Sequence, residues 1–164
     1  MPSPVTIRRA VRVDADHLIA MIMALAEFEH LDPPDSAARQ RLIEHGFGEH
    51  PKYEAYLAEL EGVDHPVGYA FVFETYSTFL AQPTLYLEDL FVLPDYRKQG
   101  IGRALLDHCV RLAFDRGCGR MEWTCLEWNV NAQAVYKGMG AKHLDDWWLF
   151  RLTRDAMARR PGEE

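Results

Sequence analysis

The residues best suited to chemistry lie between Pro94 and Ala104, in the stretch Pro-Asp-Tyr-Arg-Lys-Gln-Gly-Ile-Gly-Arg-Ala. An apolar, strand-like run from Leu85 to Val92 precedes it, and an amphipathic helical run from Ile101 to Arg116 overlaps its end. A glycine-bearing turn that leads into a helix presents unpaired backbone N–H groups and the positive end of the helix dipole. Glycine also lets a phosphate approach the backbone closely. The stretch therefore predicts a site for a phosphate-bearing ligand.

Two common phosphate-binding motifs do not fit this stretch. A P-loop requires Lys and then Ser or Thr after its last glycine, whereas Arg103 and Ala104 follow Gly102. A dinucleotide fingerprint requires a third glycine three residues after the second, and Leu105 stands there. The remaining alternative is an ordinary turn without a ligand.

Two adjacent carboxylates, Glu88 and Asp89, interrupt the apolar run from Leu85 to Val92. In a regular strand successive side chains point to opposite faces, so Glu88 would share a face with Tyr86. Asp89 would then share the opposite face with Leu87. Burying either carboxylate without a partner would cost several kcal/mol. We therefore treat both as candidate functional residues, the alternative being a structural pair with an arginine or backbone amides.

Composition and charge narrow the class of protein. The 164 residues fit a single domain over 1–164, and the net charge of −7 suits a cationic substrate and argues against nucleic acid. Because no run approaches the ~20 apolar residues that cross a bilayer, and Met1 to Pro4 carry no secretory signal, we expect a cytoplasmic protein without membrane association. The cysteines, Cys109, Cys118 and Cys125, lack metal-ligand spacing, so we expect reduced thiols and no metal.

The order of predicted elements indicates how these residues are held. We expect helices at residues 14–30, 35–45, 101–116 and 131–137, strands at 5–11, 53–60, 67–75, 85–92, 120–126 and 147–153, and a polar tail at 154–164. The second and third strands form an antiparallel hairpin. Hairpins followed by a strand–helix–strand unit predict the α/β class, with a mixed sheet covered by helices.

The pattern Arg97-x-x-Gly100-x-Gly102 resembles the acyl-CoA loop of the GNAT superfamily of N-acetyltransferases. In that superfamily the amides of the loop hold the pyrophosphate of acetyl-CoA. Lys98 and Arg103 add positive charge beside it. The resemblance implies the GNAT fold, with a mostly antiparallel central sheet flanked by helices.

A second segment, Asn129-x-x-Ala132-x-x-x-Tyr136-x-x-x-Gly140, is similar to the downstream segment of the same superfamily. There the Asn contacts the pantetheine arm, and the Tyr hydroxyl lies near the thioester sulfur. The alternative for Tyr136 is a packed aromatic ring with a satisfied hydroxyl.

Acetyl transfer to an amine gives these residues roles. An aliphatic ammonium has a pKa of roughly 10 and must lose a proton before it attacks. Glu88 would accept that proton directly or through a water, and Tyr136 would protonate the leaving thiolate. A backbone N–H between Leu90 and Val92 would stabilise the carbonyl oxygen as it becomes negative.

Within the superfamily, the chain is similar to the spermidine/spermine (diamine) acetyltransferases from about Ile7 to Leu152. The resemblance implies a homodimer, acetyl-CoA as donor and an acidic channel for a polyamine. The residues it places against CoA are Leu90, Phe91, Val92, Arg97, Lys98, Gln99, Gly100, Ile101, Gly102, Arg103, Asn129, Val130, Asn131 and Ala132. Those it places against the amine are Phe28, Glu29, Glu88, Asp89, Glu122, Trp123, Thr124 and Asp145.

Three departures from the pattern surround the acceptor channel and leave the acceptor open. Met139 stands where relatives have a basic residue, the segment between Gly140 and Trp147 is shorter, and Phe79 stands near a usual Trp. Thialysine, another small amine and a peptide remain alternatives. A non-catalytic acyl-CoA-binding domain is the alternative of a different class.

Overall fold

The order of strands in the central sheet follows the order of the chain. The computed structural model describes residues 4–159. The strands are β1 (Val5–Arg9), β2 (Glu54–Leu60), β3 (Gly68–Ser77), β4 (Gln82–Val92) and β5 (Arg120–Glu122). The helices are α1 (Ala15–Phe28), α2 (Ser36–Phe47), α3 (Ile101–Asp115), α4 (Val130–Gly138) and α5 (Arg154–Ala158). β1 to β4 pair antiparallel and β5 joins β4 in parallel, which confirms the predicted mixed sheet.

Two compact units make up the chain, one ending at Thr124 and the other beginning at Cys125. The first contains the sheet with α1, α2 and α3, and the second contains α4 and α5. That both belong to one domain stays a prediction. Residues 1–3, part of the expected signal-free terminus, and 160–164, the end of the expected polar tail, lie outside the described residues.

Helices cover both faces of the sheet. On one face Leu18, Met21 and Leu25 of α1 pack with Leu57 and other buried strand residues. These side chains recur every three or four positions, so they form one stripe of the helix. α3 packs across β1 to β4 on the other face and buries five side chains, Ile101, Leu105, Leu106, Cys109 and Ala113. Burial of each large side chain contributes roughly 1.5–3 kcal/mol.

An ion pair fixes the entry to α1. Arg8 donates from its two terminal nitrogens to the two oxygens of Asp14, at 2.7 and 2.8 Å, and Val11 N donates to the same carboxylate at 2.7 Å. The hydrogen bond from Arg8 holds the pKa of Asp14 below its usual value. Asp14 stands just before α1, but its side chain bonds residues of β1 and the following turn and does not cap the helix.

Two predicted strands differ from the structure. β5 ends at Glu122 rather than at residue 126, and residues 147–153 form no strand. The strand interpretation rested on apolar side chains alone, but a strand also needs a hydrogen-bonding neighbour. In the described chain, β4 pairs with β5 only from Thr84 to Tyr86, and residues 147–153 have no strand partner. The first five residues of the expected tail form α5.

Across residues 4–159, every helix is too short or too polar to cross a membrane.

Candidate active site

A β-bulge in β4 determines where the acidic pair lies. Asp89 is opposite Phe71 of β3, and Leu87 is opposite Val72, so Glu88 is the extra residue. A bulge bends its strand and shifts the alternation of side chains. Glu88 is consequently exposed to solvent.

The bulge overturns the alternation expected for a regular strand. Tyr86 pairs with Phe73, and Asp89 pairs with Phe71. Because paired residues share a face and residues two apart on β3 share a face, Asp89 lies on the face of Tyr86 and not on that of Leu87. Without the extra residue, Asp89 would point toward α3.

Asp89 accepts a hydrogen bond from a buried tyrosine. The hydroxyl of Tyr69 on β3 donates to Asp89 Oδ2 at 2.9 Å, and Tyr69 is fully buried. Burial raises the pKa of Asp89 to about 6; the hydrogen bond from Tyr69 opposes this rise, and the charges of Glu88 and Glu29 add to it. Asp89 is therefore a carboxyl group that titrates near neutral pH.

A third carboxylate, Glu29, comes from the end of α1. Its backbone N–H donates to Leu25 O at 2.9 Å, so it closes the last turn of that helix. Glu29 is half-buried, and burial raises its pKa. Glu29 and Glu88 both act electrostatically on Asp89. The structure thus brings together three of the carboxylates predicted to bind the substrate, in an acidic cluster that suits a cation.

Arg97 connects the glycine turn to the end of α1. Its Nε donates to Val92 O at 2.8 Å. Its guanidinium carbon lies 4.7 Å from the ring centroid of Phe28 and 5.3 Å from that of Phe91, within the range of cation–π attraction. A residue predicted to bind the cofactor and one predicted to bind the substrate are therefore in contact.

The turn before α3 exposes a set of backbone donors. Gly100 has φ 82°, in the left-handed region that favours glycine, and it precedes the first residue of α3. Ala104 N donates to Gly100 O at 2.9 Å, so the N–H groups of Ile101 to Arg103 precede the helical ladder. Within residues 4–159 no side chain caps this helix end. Three aligned donors are what an anion at a helix N-terminus requires.

Open space adjoins these donors. A Cβ built at Gly100 meets no atom of the described residues within 4 Å, and one at Gly102 meets only Val92 Cγ2, at 3.7 Å. Both glycines therefore leave volume that a phosphate can fill. Lys98 and Gln99 are exposed beside it, whereas Arg103 is engaged by Asp107 at 2.9 Å. The donors and the space fit the diphosphate of CoA.

β4 is paired on one side only beyond Tyr86. Because β5 pairs with Thr84 to Tyr86, the backbone from Leu87 to Val92 has β3 as its sole strand neighbour in the described chain. This segment contains Leu90 to Val92, predicted to contact CoA. Its free edge presents alternating N–H and C=O groups to a ligand.

The end of β5 places Glu122 beside Tyr86 in the sheet. Glu122 also forms an ion pair with Arg120, in which Oε1 of Glu122 lies 2.9 Å from Nε of Arg120, so part of the charge of Glu122 is compensated. Trp123 is half-buried and Thr124 is exposed. Of this predicted substrate-binding group, Glu122 is the member whose position on the sheet is defined by strand pairing.

The remaining predicted site residues lie in the second unit. Asn129 caps α4, since Ala132 N donates to its Oδ1 at 3.3 Å, and Val130 and Asn131 form the first turn. Tyr136 is half-buried in the last part of α4, and Asp145 is exposed. The cap explains why an Asn begins this helix.

Sequence reasoning missed Tyr69. A tyrosine in the apolar run from Val67 to Phe73 is a signal, because a buried hydroxyl needs a partner. Which partner it finds depends on the bulge, which no local pattern shows. Among residues 4–159, His, Cys, Asp and Glu form no group of three or more arranged to hold a metal ion.

Comparisons with known proteins identify the family of the chain. Residues 16–141 match the acetyltransferase (GNAT) family. The chain is 35% identical to the thialysine N-epsilon-acetyltransferase of Bos taurus, over 97% of this chain and 98% of the bovine protein. It is 29% identical to the spermidine/spermine N(1)-acetyltransferase-like protein 1 of Homo sapiens, over 96% of this chain and 24% of the human one. The crystal structure of a probable acetyltransferase superposes with a TM-score of 0.79 at 22% identity, covering 90% of this chain and 97% of that one.

The family match over residues 16–141 and the named relatives define an enzyme that transfers an acyl group. The chain belongs to the acetyltransferase (GNAT) family, as an acetyl-CoA-dependent N-acetyltransferase.

The raised pKa of Asp89 predicts a specific dependence of stability on pH. The folded protein binds this proton more tightly than the unfolded chain does, so the contribution of Asp89 to the free energy of unfolding should fall as pH rises from about 4 to about 6. Asp89→Asn should remove this decline and stabilise the protein at pH 7.5 by about 1–3 kcal/mol. Urea unfolding across pH 4–8 measures it. The control is Asp115→Asn, an exposed aspartate; an equal effect of both variants would contradict the prediction.

Proposed function

We propose that the chain transfers acetyl from acetyl-CoA to a primary amine of a small polyamine or diamine, by direct attack in a ternary complex. The observation that carries the proposal is the acidic cluster of Glu29, Glu88 and Asp89, of which Glu88 and Asp89 lie on the strand that leads into the glycine turn. Three carboxylates attract and orient a ligand that carries more than one ammonium group.

Thialysine is the second candidate acceptor. The full-length relative at 35% identity is named for that substrate, whereas the relative named for spermidine and spermine is less similar. Thialysine also carries a primary amine on a flexible chain, so the same carboxylates suit its side chain.

Acetyl-CoA supplies the thioester, and the chain positions it. The N–H groups of Ile101 to Arg103 donate to the diphosphate, and the open edge from Leu87 to Val92 receives the acyl-bearing end. A backbone N–H between Leu90 and Val92 donates to the carbonyl oxygen as charge develops there.

Glu88 and Tyr136 move the protons. Glu88 is exposed at the bulge, where a water can relay to it the proton that the ammonium loses. As the new C–N bond forms and the C–S bond breaks, Tyr136 donates its hydroxyl proton to the sulfur. The second proton that the nitrogen then loses passes through water and restores the hydroxyl of Tyr136. The role of Tyr136 is supported by the match of its segment, Asn129 to Gly140, to the family.

A homodimer is part of the proposal. Residues 147–152 contain large apolar side chains that remain exposed in the chain, including Trp148 at 81% and Phe150 at 83%. Contiguous exposed apolar surface marks interaction sites, and a second copy of the chain would cover it.

The amine reaction is tested by measuring thiol release from acetyl-CoA. Spermidine, a diamine or thialysine should stimulate release, and mass spectrometry should find one acetylated primary nitrogen.

Tyr136→Phe should lower turnover about a hundredfold without loss of CoA affinity, and Glu88→Gln should move the rate profile to higher pH. Binding of CoA with no stimulation by any amine would instead indicate a non-catalytic domain, and acetylation of peptides alone would indicate a different acceptor.

The diphosphate site is tested by a matched pair of glycine variants. Gly100 and Gly62 have φ angles of 82° and 81°, and a Cβ at either meets no described atom within 4 Å. Each change to Ala should therefore cost about 1 kcal/mol of stability from backbone strain. Only Gly100→Ala should weaken CoA binding in calorimetry, by about tenfold or more. Equal affinities for the two variants would place the diphosphate elsewhere.

The dimer is tested by analytical ultracentrifugation. The protein should sediment as a dimer, and the pair of changes Trp148→Glu and Phe150→Glu should shift it to a monomer. Phe114→Glu, at an equally exposed position of α3, is the control and should leave the dimer intact. A monomeric wild-type protein, or an unaffected double variant, would exclude this interface.

A further inference from the structure

Tyr69 is a buried residue that contacts the acidic cluster through its hydroxyl. Its ring lies on β3 among the core residues, with 0% exposure, and its hydroxyl donates to Asp89 Oδ2 at 2.9 Å. Its ring centroid is 6.3 Å from that of Phe91, the neighbour of Asp89 on the same face. Packing therefore fixes the direction in which this hydroxyl points.

A second tyrosine on the same face shows what a purely structural hydroxyl does. Tyr53 is also buried, and its hydroxyl donates to the carbonyl oxygen of Leu42 in α2 at 2.6 Å. A backbone carbonyl has no charge to regulate. Tyr69 differs because its acceptor is an ionisable side chain that adjoins two other carboxylates, Glu29 and Glu88.

We infer that Tyr69 is a positioning residue for the acceptor amine: it holds Oδ2 of Asp89, so that Oδ1 faces the cation beside Glu88 and Glu29. In the described chain, no group donates a hydrogen bond to Oδ1. This inference rests on the proposed amine acetylation. It assigns Asp89 to binding of the cation, while Glu88 keeps the role of proton acceptor.

The charged groups around Asp89 determine the pH range in which this carboxylate is ionised and can bind the amine. Glu88 acts from the same strand and Glu29 from the end of α1, and both disfavour ionisation of Asp89. The hydrogen bond from Tyr69 on β3 favours it, and the cation of Arg97 lies over the ring of Phe91. An arriving ammonium also favours the ionised form. Asp89 consequently binds the amine well above its pKa of about 6 and loses it as pH falls through that value.

Tyr69→Phe is the direct test, because it removes the hydroxyl and keeps the ring. Without the hydrogen bond the pKa of Asp89 should rise by about one unit. The KM for spermidine or thialysine should then increase about threefold at pH 6.5 and less than about 1.2-fold at pH 8.5, since Asp89 is ionised in both proteins at the higher pH. The kcat at saturating amine should change less than about twofold. Tyr53→Phe is the matched control and should leave KM unchanged at both pH values.

A measurement without turnover separates this inference from the proposed function. In protein labelled with ¹³Cγ-aspartate, the Asp89 signal is the one that Asp89→Asn removes. Its titration midpoint should rise in Tyr69→Phe, stay unchanged in Tyr53→Phe, and fall when spermidine is added to the wild type. A midpoint that responds to neither Tyr69→Phe nor spermidine overturns the inference, even if the enzyme acetylates amines. Absence of amine-stimulated thiol release overturns the proposed function, whatever the midpoint does.

Discussion

The extra residue at position 88 of β4 is the constraint on which the acceptor site depends. It places Asp89 on the face of Tyr69 and leaves Glu88 in solvent, so one strand presents two carboxylates in different environments. A buried carboxylate has a raised pKa, and an exposed one exchanges protons freely with water. In the proposed reaction, the pairing of β3 with β4 therefore separates the binding of a cation from the removal of its proton.

In the proposed reaction, β4 also contributes to the binding of the acetyl donor, acetyl-CoA. Beyond Tyr86, β4 has no second strand neighbour among residues 4–159, and its unpaired edge runs toward the turn that exposes the N–H groups before α3. Arg97 bonds the end of this strand and lies over Phe28 at the end of α1. The proposed donor and acceptor regions thus share one support, which is how an enzyme keeps two reactants within bonding distance.

Local patterns predicted much of this arrangement and could not predict the rest. The glycine turn could be predicted because a left-handed φ, as at Gly100, favours glycine, and the start of a helix also favours particular residue types. The bulge could not be predicted, because it depends on how β3 and β4 align along their lengths. A shift of one residue in that alignment moves each side chain to the opposite face of the sheet. Residues 147–153 are apolar enough for a strand, but a strand forms only beside a hydrogen-bonding partner strand. The residue types of this segment do not show whether such a partner is present. The role of Tyr69 depends on its hydrogen-bond partner, Asp89, which the residue types around Tyr69 do not reveal.

The position of Glu29 has an evolutionary consequence. It lies just past the end of α1, at the start of the connection to α2, whereas the phosphate-binding amides belong to α3 on the other face of the sheet. In the proposed enzyme, substitutions or length changes in that connection would alter the charge offered to an incoming amine without disturbing the amides proposed to bind CoA. A lineage built on this scaffold can therefore diversify the molecules it modifies while inheriting its donor unchanged.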